Sequence, residues 1–286
     1  MTQSHKDITA IRRCAEGNAA LCTIVAIEGS FSRRLGAQLA VGTDGTIVGS
    51  LADGCIEQQL CREAEECRTS GISRIVRFGE GAKSIDYTLP CGSRIEVLVD
   101  PFPDTKSCQD VVRDIGDRKP ALFELSLPNE STFLHQRKYI PPPRIVLCGT
   151  GPEADCLVTN ASALGIEVDV HRPFEGGSGL SLGVAPKDTE CDEWTAIVLL
   201  FHDHEWERAL LEWALSTPSF YIGAQGGKAI RKQRFGYLVN AGYSDQDLKR
   251  ISSPIGIIPH TRDPATLSLS AIADVVAQHE KLHPHN

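Results

Sequence analysis

Arg144-Ile145-Val146-Leu147-Cys148-Gly149-Thr150-Gly151 is an apolar run that passes directly into G-x-G-x-x-A, completed by Ala154. The run has the composition of a buried strand, and the residues after it favour a helix. In that setting Gly149 serves the tight turn, Gly151 lets the backbone approach a ligand, and Ala154 packs helix against strand. Such a turn aims backbone N–H groups and a helix N-terminus at one point, which suits a phosphate.

Downstream, strands and helices alternate: strand 144–148, helix 152–164, strands 166–170 and 196–201, helix 205–216, strand 219–223 and helix 227–241. Alternation of this kind predicts a parallel sheet wrapped by helices, a Rossmann-like doubly wound domain. A short helix capped by Ser244 over 245–251 and a last helix over 264–278 complete it. An NAD site also wants an acidic residue about 20 positions on, at the end of the second strand. Here Val170 stands at that place, with Asp169 on the opposite strand face, so ordinary NAD chemistry lacks its ribose acceptor.

Upstream, the pattern is mixed α and β. It comprises a helix over 5–17, a strand over 19–27, a hairpin of 38–42 and 46–50 turning at Asp44-Gly45, and a helix from about 54 to 70. Strands over 72–78, 85–89 and 94–99, a helix over 105–118 and a strand over 121–127 follow. A polar stretch after Leu127 and the spacer Pro141-Pro142-Pro143 place a boundary between residues 130 and 143. The expected domains are residues 1–135 and 136–286.

The chain has 286 residues, 41% hydrophobic and 23% charged, without an apolar run long enough for a membrane helix. Its polar N-terminus lacks a secretory signal, which points to the cytoplasm. A net charge of −8 argues against nucleic acid or an anionic membrane as partner. Ten cysteines show no C-x-x-C and no zinc spacing, so most read as small buried hydrophobes.

Three further segments carry chemistry. His202-Asp203-His204-Glu205 and Gly223-Ala224-Gln225-Gly226-Gly227-Lys228 follow predicted strands, where such folds place ligands. For His202 and His204 three readings stand: solvated side chains beside Asp203 capping the helix that follows, hydrogen-bonding groups at the cleft, or metal ligands. The second segment departs from a P-loop in its spacing and in Ala229. In the first half, Arg33 and Arg34 lie between Gly29 and Gly36 and offer guanidinium forks for an anion. Cys55, with Asp53 as helix cap, is expected in a first helical turn. A helix terminus contributes about 0.3–1 kcal/mol, less than the 1.36 kcal/mol of one pKa unit, and Asp53 opposes it. Activating this thiol therefore requires an arginine or a bound metal.

Gly29-Ser30-x-x-Arg33-x-x-Gly36-Ala37, Gly49-Ser50, Gly54-Cys55-x-Glu57 and Leu89-Pro90-Cys91-Gly92 resemble the N-terminal domain of the XdhC/CoxI family. Residues 144–173, His202 to Glu205, Tyr221 to Ala224 and Ser253-Pro254-Ile255-Gly256 resemble its Rossmann-type domain. The resemblance implies an accessory protein without turnover. It would bind the molybdenum cofactor, as molybdopterin or its cytosine dinucleotide form, shelter it while a cysteine desulfurase installs its terminal sulfur, and pass it to a molybdenum hydroxylase large subunit. It further implies Cys55 at the metal or sulfur end, Cys91 as a second candidate, and Gly54 and Glu57 around them. Arg33 and the turn of Gly149, Gly151 and Ala154 would hold phosphates, with His202, His204 and Gly223 completing the site. Two alternatives stay open: an NAD(P)-dependent oxidoreductase, and a sulfur carrier with a persulfide on Cys55. A homodimer is the expected assembly.

Overall fold

Residues 3–52, 54, 56–82, 92–128, 133–173 and 179–282 are described in the computed structural model. The chain divides into two units, Met1–Pro141 and Pro142–Pro284.

The first unit runs α1 (Gln3–Ala15), β1 (Ala19–Glu28), β2 (Gln38–Gly42), β3 (Ile47–Gly49), α2 (Glu57–Ser70), β4 (Arg74–Gly79), β5 (Arg94–Asp100), α3 (Thr105–Gly116), β6 (Ala121–Glu124) and β7 (Gln136–Tyr139). Its main sheet has the order β3-β2-β1-β5-β4, and its described pairings are antiparallel. The continuous apolar run of β1 follows from this position. Ala20, Cys22 and Ile24 pack under α2, whereas Leu21 and Val25 pack against α1 and α3. A strand covered on both faces has no polar side to alternate with.

Three expectations need adjusting. The β2–β3 connection is longer than two residues: Gly42 N donates to Thr46 O at 2.8 Å, and Asp44 Oδ1 accepts from Thr46 N at 3.1 Å. Helix α2 starts at Glu57 with Ile56 as N-cap, not near Gly54, because the Glu57 carboxylate takes up the backbone N–H groups before it. Strand β7, which pairs with β6, lies in the stretch where the domain boundary was expected, and its polar sequence Gln-Arg-Lys-Tyr carried no strand signal. The predicted strand over 85–89 falls outside the described residues.

The second unit runs β8 (Arg144–Gly149), α4 (Pro152–Ala163), β9 (Glu167–His171), β10 (Thr195–Leu200), α5 (Glu207–Ser216), β11 (Tyr221–Ala224), α6 (Lys228–Asn240), α7 (Asp245–Lys249), β12 (Ile251–Ser252) and α8 (Pro264–Glu280). The strands form a parallel sheet of order β12-β11-β10-β8-β9. α4 and α8 cover one face, and α5, α6 and α7 the other. This is the Rossmann-like architecture. Ser244 and Asp247 form a reciprocal capping box that opens α7, and β12, two residues long, is too short for a periodicity to reveal it.

Candidate functional site

In the second unit β9 lies to one side of β8 and β10 to the other, so the carboxyl ends of β8 and β10 flank the switch point where such sheets bind ligands. The glycine turn sits there. The positive φ of +90° belongs to Gly151, whereas Gly149 is required by packing: a Cβ on it would stand 2.5 Å from Leu200 O on β10. Ala154, in the first turn of α4, is fully buried against the sheet.

The space over this turn holds a carboxylate from the chain itself. Glu153, in the first turn of α4, places Oε1 3.5 Å from His202 Nε2. Its Oε2 is buried with no hydrogen-bond partner, and a Cβ on Gly151 would lie 3.5 Å from it. The helix dipole favours a negative charge here, as it would favour a phosphate. A phosphate entering the turn therefore has to displace Glu153. At the end of β9, Arg172 donates to Asp155 Oδ1 of α4 at 2.6 Å, and Asp169 Oδ2 faces His171 Nε2 at 3.0 Å.

His204 points elsewhere. Its Nδ1 is 3.1 Å from Glu207 Oε1, and Glu207 Oε2 accepts from Arg234 Nη2 at 2.6 Å and from Nε at 3.0 Å. Both side chains of the pair are 3% exposed. Arg234 also donates to Gln225 O at 2.7 Å and to Ser253 Oγ at 2.5 Å, so one guanidinium ties β11, α5 and the segment after β12 together. Gly226 has φ +125°, and a Cβ on it would stand 2.9 Å from Ile230 Cγ2, with the His204 ring alongside at 3.4 Å. Gly223 is fixed by packing, because a Cβ there would meet Ile255 Cδ1 and Tyr221 Cε1, each at 2.6 Å. Asp203 Oδ1 accepts from Glu205 N at 3.0 Å, capping the turn that leads into α5.

Sequence reasoning missed Glu207 and Arg234, and it quoted the segments holding Gln225 and Ser253 without seeing that both bond Arg234. Glu207 lies three residues after His204, a helical spacing that was available as a signal. Nothing local marks Arg234. With His202 facing Glu153 and His204 facing Glu207, the two imidazoles serve separate partners. Among the described residues no group of three or more metal-ligating side chains comes together.

In the first unit, Glu57 organises the loop before α2. Its Oε1 accepts from Ala52 N at 2.9 Å, Leu51 N at 3.1 Å and Ser50 Oγ at 3.2 Å, and its Oε2 from Ile56 N at 3.2 Å. Burial opposes the charge, yet the backbone donors outweigh it and hold this carboxyl below its usual range. Arg33 Nη2 donates to Ser50 Oγ at 3.5 Å, so Arg33, Ser50 and Glu57 meet. Gly54 has φ +97° with open space around it. Asp53, Cys55 and Cys91 lie outside the described residues, as does the distance from residue 55 to the glycine turn. Helix α2 begins at Glu57, with Ile56 as its N-cap.

The described cysteines behave largely as core residues. Cys14, Cys22, Cys67, Cys108 and Cys148 are buried, and Cys61 of α2 packs against the core. Burial pushes the Cys14 and Cys108 thiols up to about 12 and raises Cys22 and Cys148 further.

Fold and site define a Rossmann-type protein whose parallel-sheet unit follows an antiparallel α/β unit in the chain. Residues 145–275 match the XdhC Rossmann domain, and residues 13–79 match the XdhC and CoxI family. The chain is 30% identical over 293 residues to a protein of Escherichia coli named molybdenum cofactor insertion chaperone PaoD, covering 97% of this chain and 89% of that one. It is 22% identical over 317 residues to a Bacillus subtilis protein named as a probable xanthine dehydrogenase subunit, covering 92% of this chain and 94% of that one. A crystal structure described as a xanthine dehydrogenase from Bacillus halodurans shares the fold, with a TM-score of 0.73 at 20% identity over 98% of this chain and 97% of that one. The chain belongs to the XdhC and CoxI family.

Proposed function

We propose that this chain is an accessory protein that binds the molybdenum cofactor as cargo and delivers it to a molybdenum hydroxylase. The observation that carries this reading is the 30% identity, along 97% of the chain, to a protein named as a molybdenum cofactor insertion chaperone. The cargo is molybdopterin or its cytosine dinucleotide form. It is sheltered while a cysteine desulfurase installs the terminal sulfur, and the recipient is the large subunit of an enzyme of the xanthine dehydrogenase, aldehyde oxidoreductase or CO dehydrogenase type. The protein acts in the cytoplasm as a homodimer. Catalytic turnover is not part of this role.

Chemistry supports the assignment of residues. A soft thiolate suits molybdenum, so Cys55 is the proposed metal-side contact, with Cys91 as second candidate. Gly54 and Glu57 are the proposed neighbours of residue 55 in the chain, and Arg33, which donates to Ser50 Oγ, is the proposed positive charge for the same ligand. Gly149, Gly151, Ala154, His202, His204 and Gly223 form or support the carboxyl edge of the parallel sheet, where the phosphate-bearing end is proposed to lie.

The test is to purify the protein from cells with intact and with blocked molybdenum-cofactor synthesis. Bound pterin is then measured by oxidation to its fluorescent product, alongside molybdenum by mass spectrometry and an NAD(P) titration. Pterin and molybdenum held by wild type and lost in Cys55→Ala support the reading. Saturable NAD(P) binding without pterin, or a persulfide on Cys55 with neither ligand, overturns it.

A further inference from the structure

Phe102, two residues after β5, is 64% exposed, while Pro101 and Pro103 on either side of it are buried. The prolines restrict the backbone, and Phe102 N donates to Asp100 Oδ1 at 3.0 Å, so the ring is held out as a fixed knob. Ile72, 65% exposed, immediately precedes Ser73, whose Oγ donates to the same Asp100 oxygen at 3.5 Å. Two large apolar side chains are therefore presented at one end of the β4–β5 pair.

A cavity of about 150 Å3 lies beside the knob, with Phe102 itself among its lining residues. Its other walls include Cys14 and Asn18 around the turn after α1, Arg68 of α2, and Thr105 at the start of α3. These walls are fixed. Thr43 N donates to Asn18 O at 3.1 Å, Arg13 Nη1 to Gly17 O at 2.8 Å, and Arg68 Nη1 to Glu65 Oε2 at 3.0 Å. A cavity of ~150 Å3 takes up a benzene ring, so this one has room for a phenylalanine ring. A knob beside a hole is what a two-fold contact uses, because each copy then offers the other both parts.

Charge points to the same occupant. Arg13 and Glu16 precede Gly17, Glu65 pairs with Arg68, and Asp104 and Lys106 bracket Thr105. Three cations and three acids thus surround the knob and the hole, although the chain as a whole carries a net charge of −8. Two such chains repel one another in general, whereas a face of mixed sign lets each copy meet the other's charges with their opposites.

We propose that this face of the first unit is the two-fold interface of a homodimer, with the Phe102 ring of each copy seated in the cavity of the other. The inference locates the homodimer proposed above and rests on that part of the functional reading. The fixed knob and walls leave little to be ordered on association.

Full-length protein is examined by sedimentation velocity over a range of micromolar concentrations, together with an amine-reactive cross-linker and mass spectrometry. Wild type should sediment as a dimer and give a Lys106–Lys106 link, which only two copies can form. Phe102→Asp removes the knob and puts like charges near the axis, and should raise the dimer dissociation constant about a hundredfold or more, with loss of the link. Thr105→Trp fills the hole, leaves the knob in place and should weaken the dimer as well. Both replaced side chains are exposed, so the urea midpoint of the monomer should hold. A dimer that either substitution leaves intact, or one without the Lys106 link, overturns this face while leaving the homodimer standing; a monomeric wild type overturns both. Bound pterin is measured on the same samples, so cargo carriage is judged separately from assembly.

Discussion

Glu207 of α5 and Arg234 of α6, 27 residues apart in the chain, form an ion pair at 2.6 Å that is almost wholly removed from solvent. The desolvation of two charges is offset by contacts that use both carboxylate oxygens and three guanidinium nitrogens. Removing one partner strands the other, at a cost of about 3–5 kcal/mol. Glu207→Gln and Arg234→Leu should each lower the urea midpoint sharply, and the double substitution Glu207→Leu/Arg234→Leu should recover part of the loss. Equal and additive losses would show that the pair is not coupled.

Glu153 is expected to act as a competitor for anions at the glycine turn. Glu153→Gln keeps the shape and removes the charge, so pyrophosphate should bind that variant about tenfold more tightly than wild type. Calorimetry at low ionic strength reads this directly, and unchanged affinity would mean that the turn does not receive the anion.

The loop ahead of α2 should depend on pH. The folded-state pKa of Glu57 is depressed by its backbone donors, so its contribution is complete above the unfolded value of about 4.3 and disappears as pH falls through the folded value. Glu57→Gln should flatten the acid limb of the stability profile between about pH 4.3 and lower values. Urea midpoints across that window check the sign.

Thiol reactivity offers another check. Cys14 and Cys108, raised to about 12 by burial, should resist alkylation at pH 8 in the folded protein and react in urea. Because the folded-state values lie above the unfolded ones, the stability they contribute is whole below about pH 8.5 and is lost as pH climbs toward 12. Mass spectrometry of modified peptides reads the protection site by site.

The sequence showed the Rossmann-like half through its strand–turn–helix at residues 144–154 and the alternation after it, because a buried parallel strand writes a continuous apolar signature. β7 and β12 escaped, one for its polar side chains and the other for its length of two residues. The start of α2, expected near Gly54, was misplaced because the reach of a glutamate to preceding N–H groups is invisible to periodicity. The Glu207–Arg234 pair was equally silent, since only the return of α6 over the sheet edge brings the two charges together. His204 was legible as a polar group at a strand end, but its partner was not.

At Gly149 a single added carbon would collide with the main chain of β10. That glycine is demanded by the sheet's own architecture before any guest arrives. A lineage that abandoned its ligand would still retain this letter of the fingerprint, so at this position the motif testifies to ancestry and geometry.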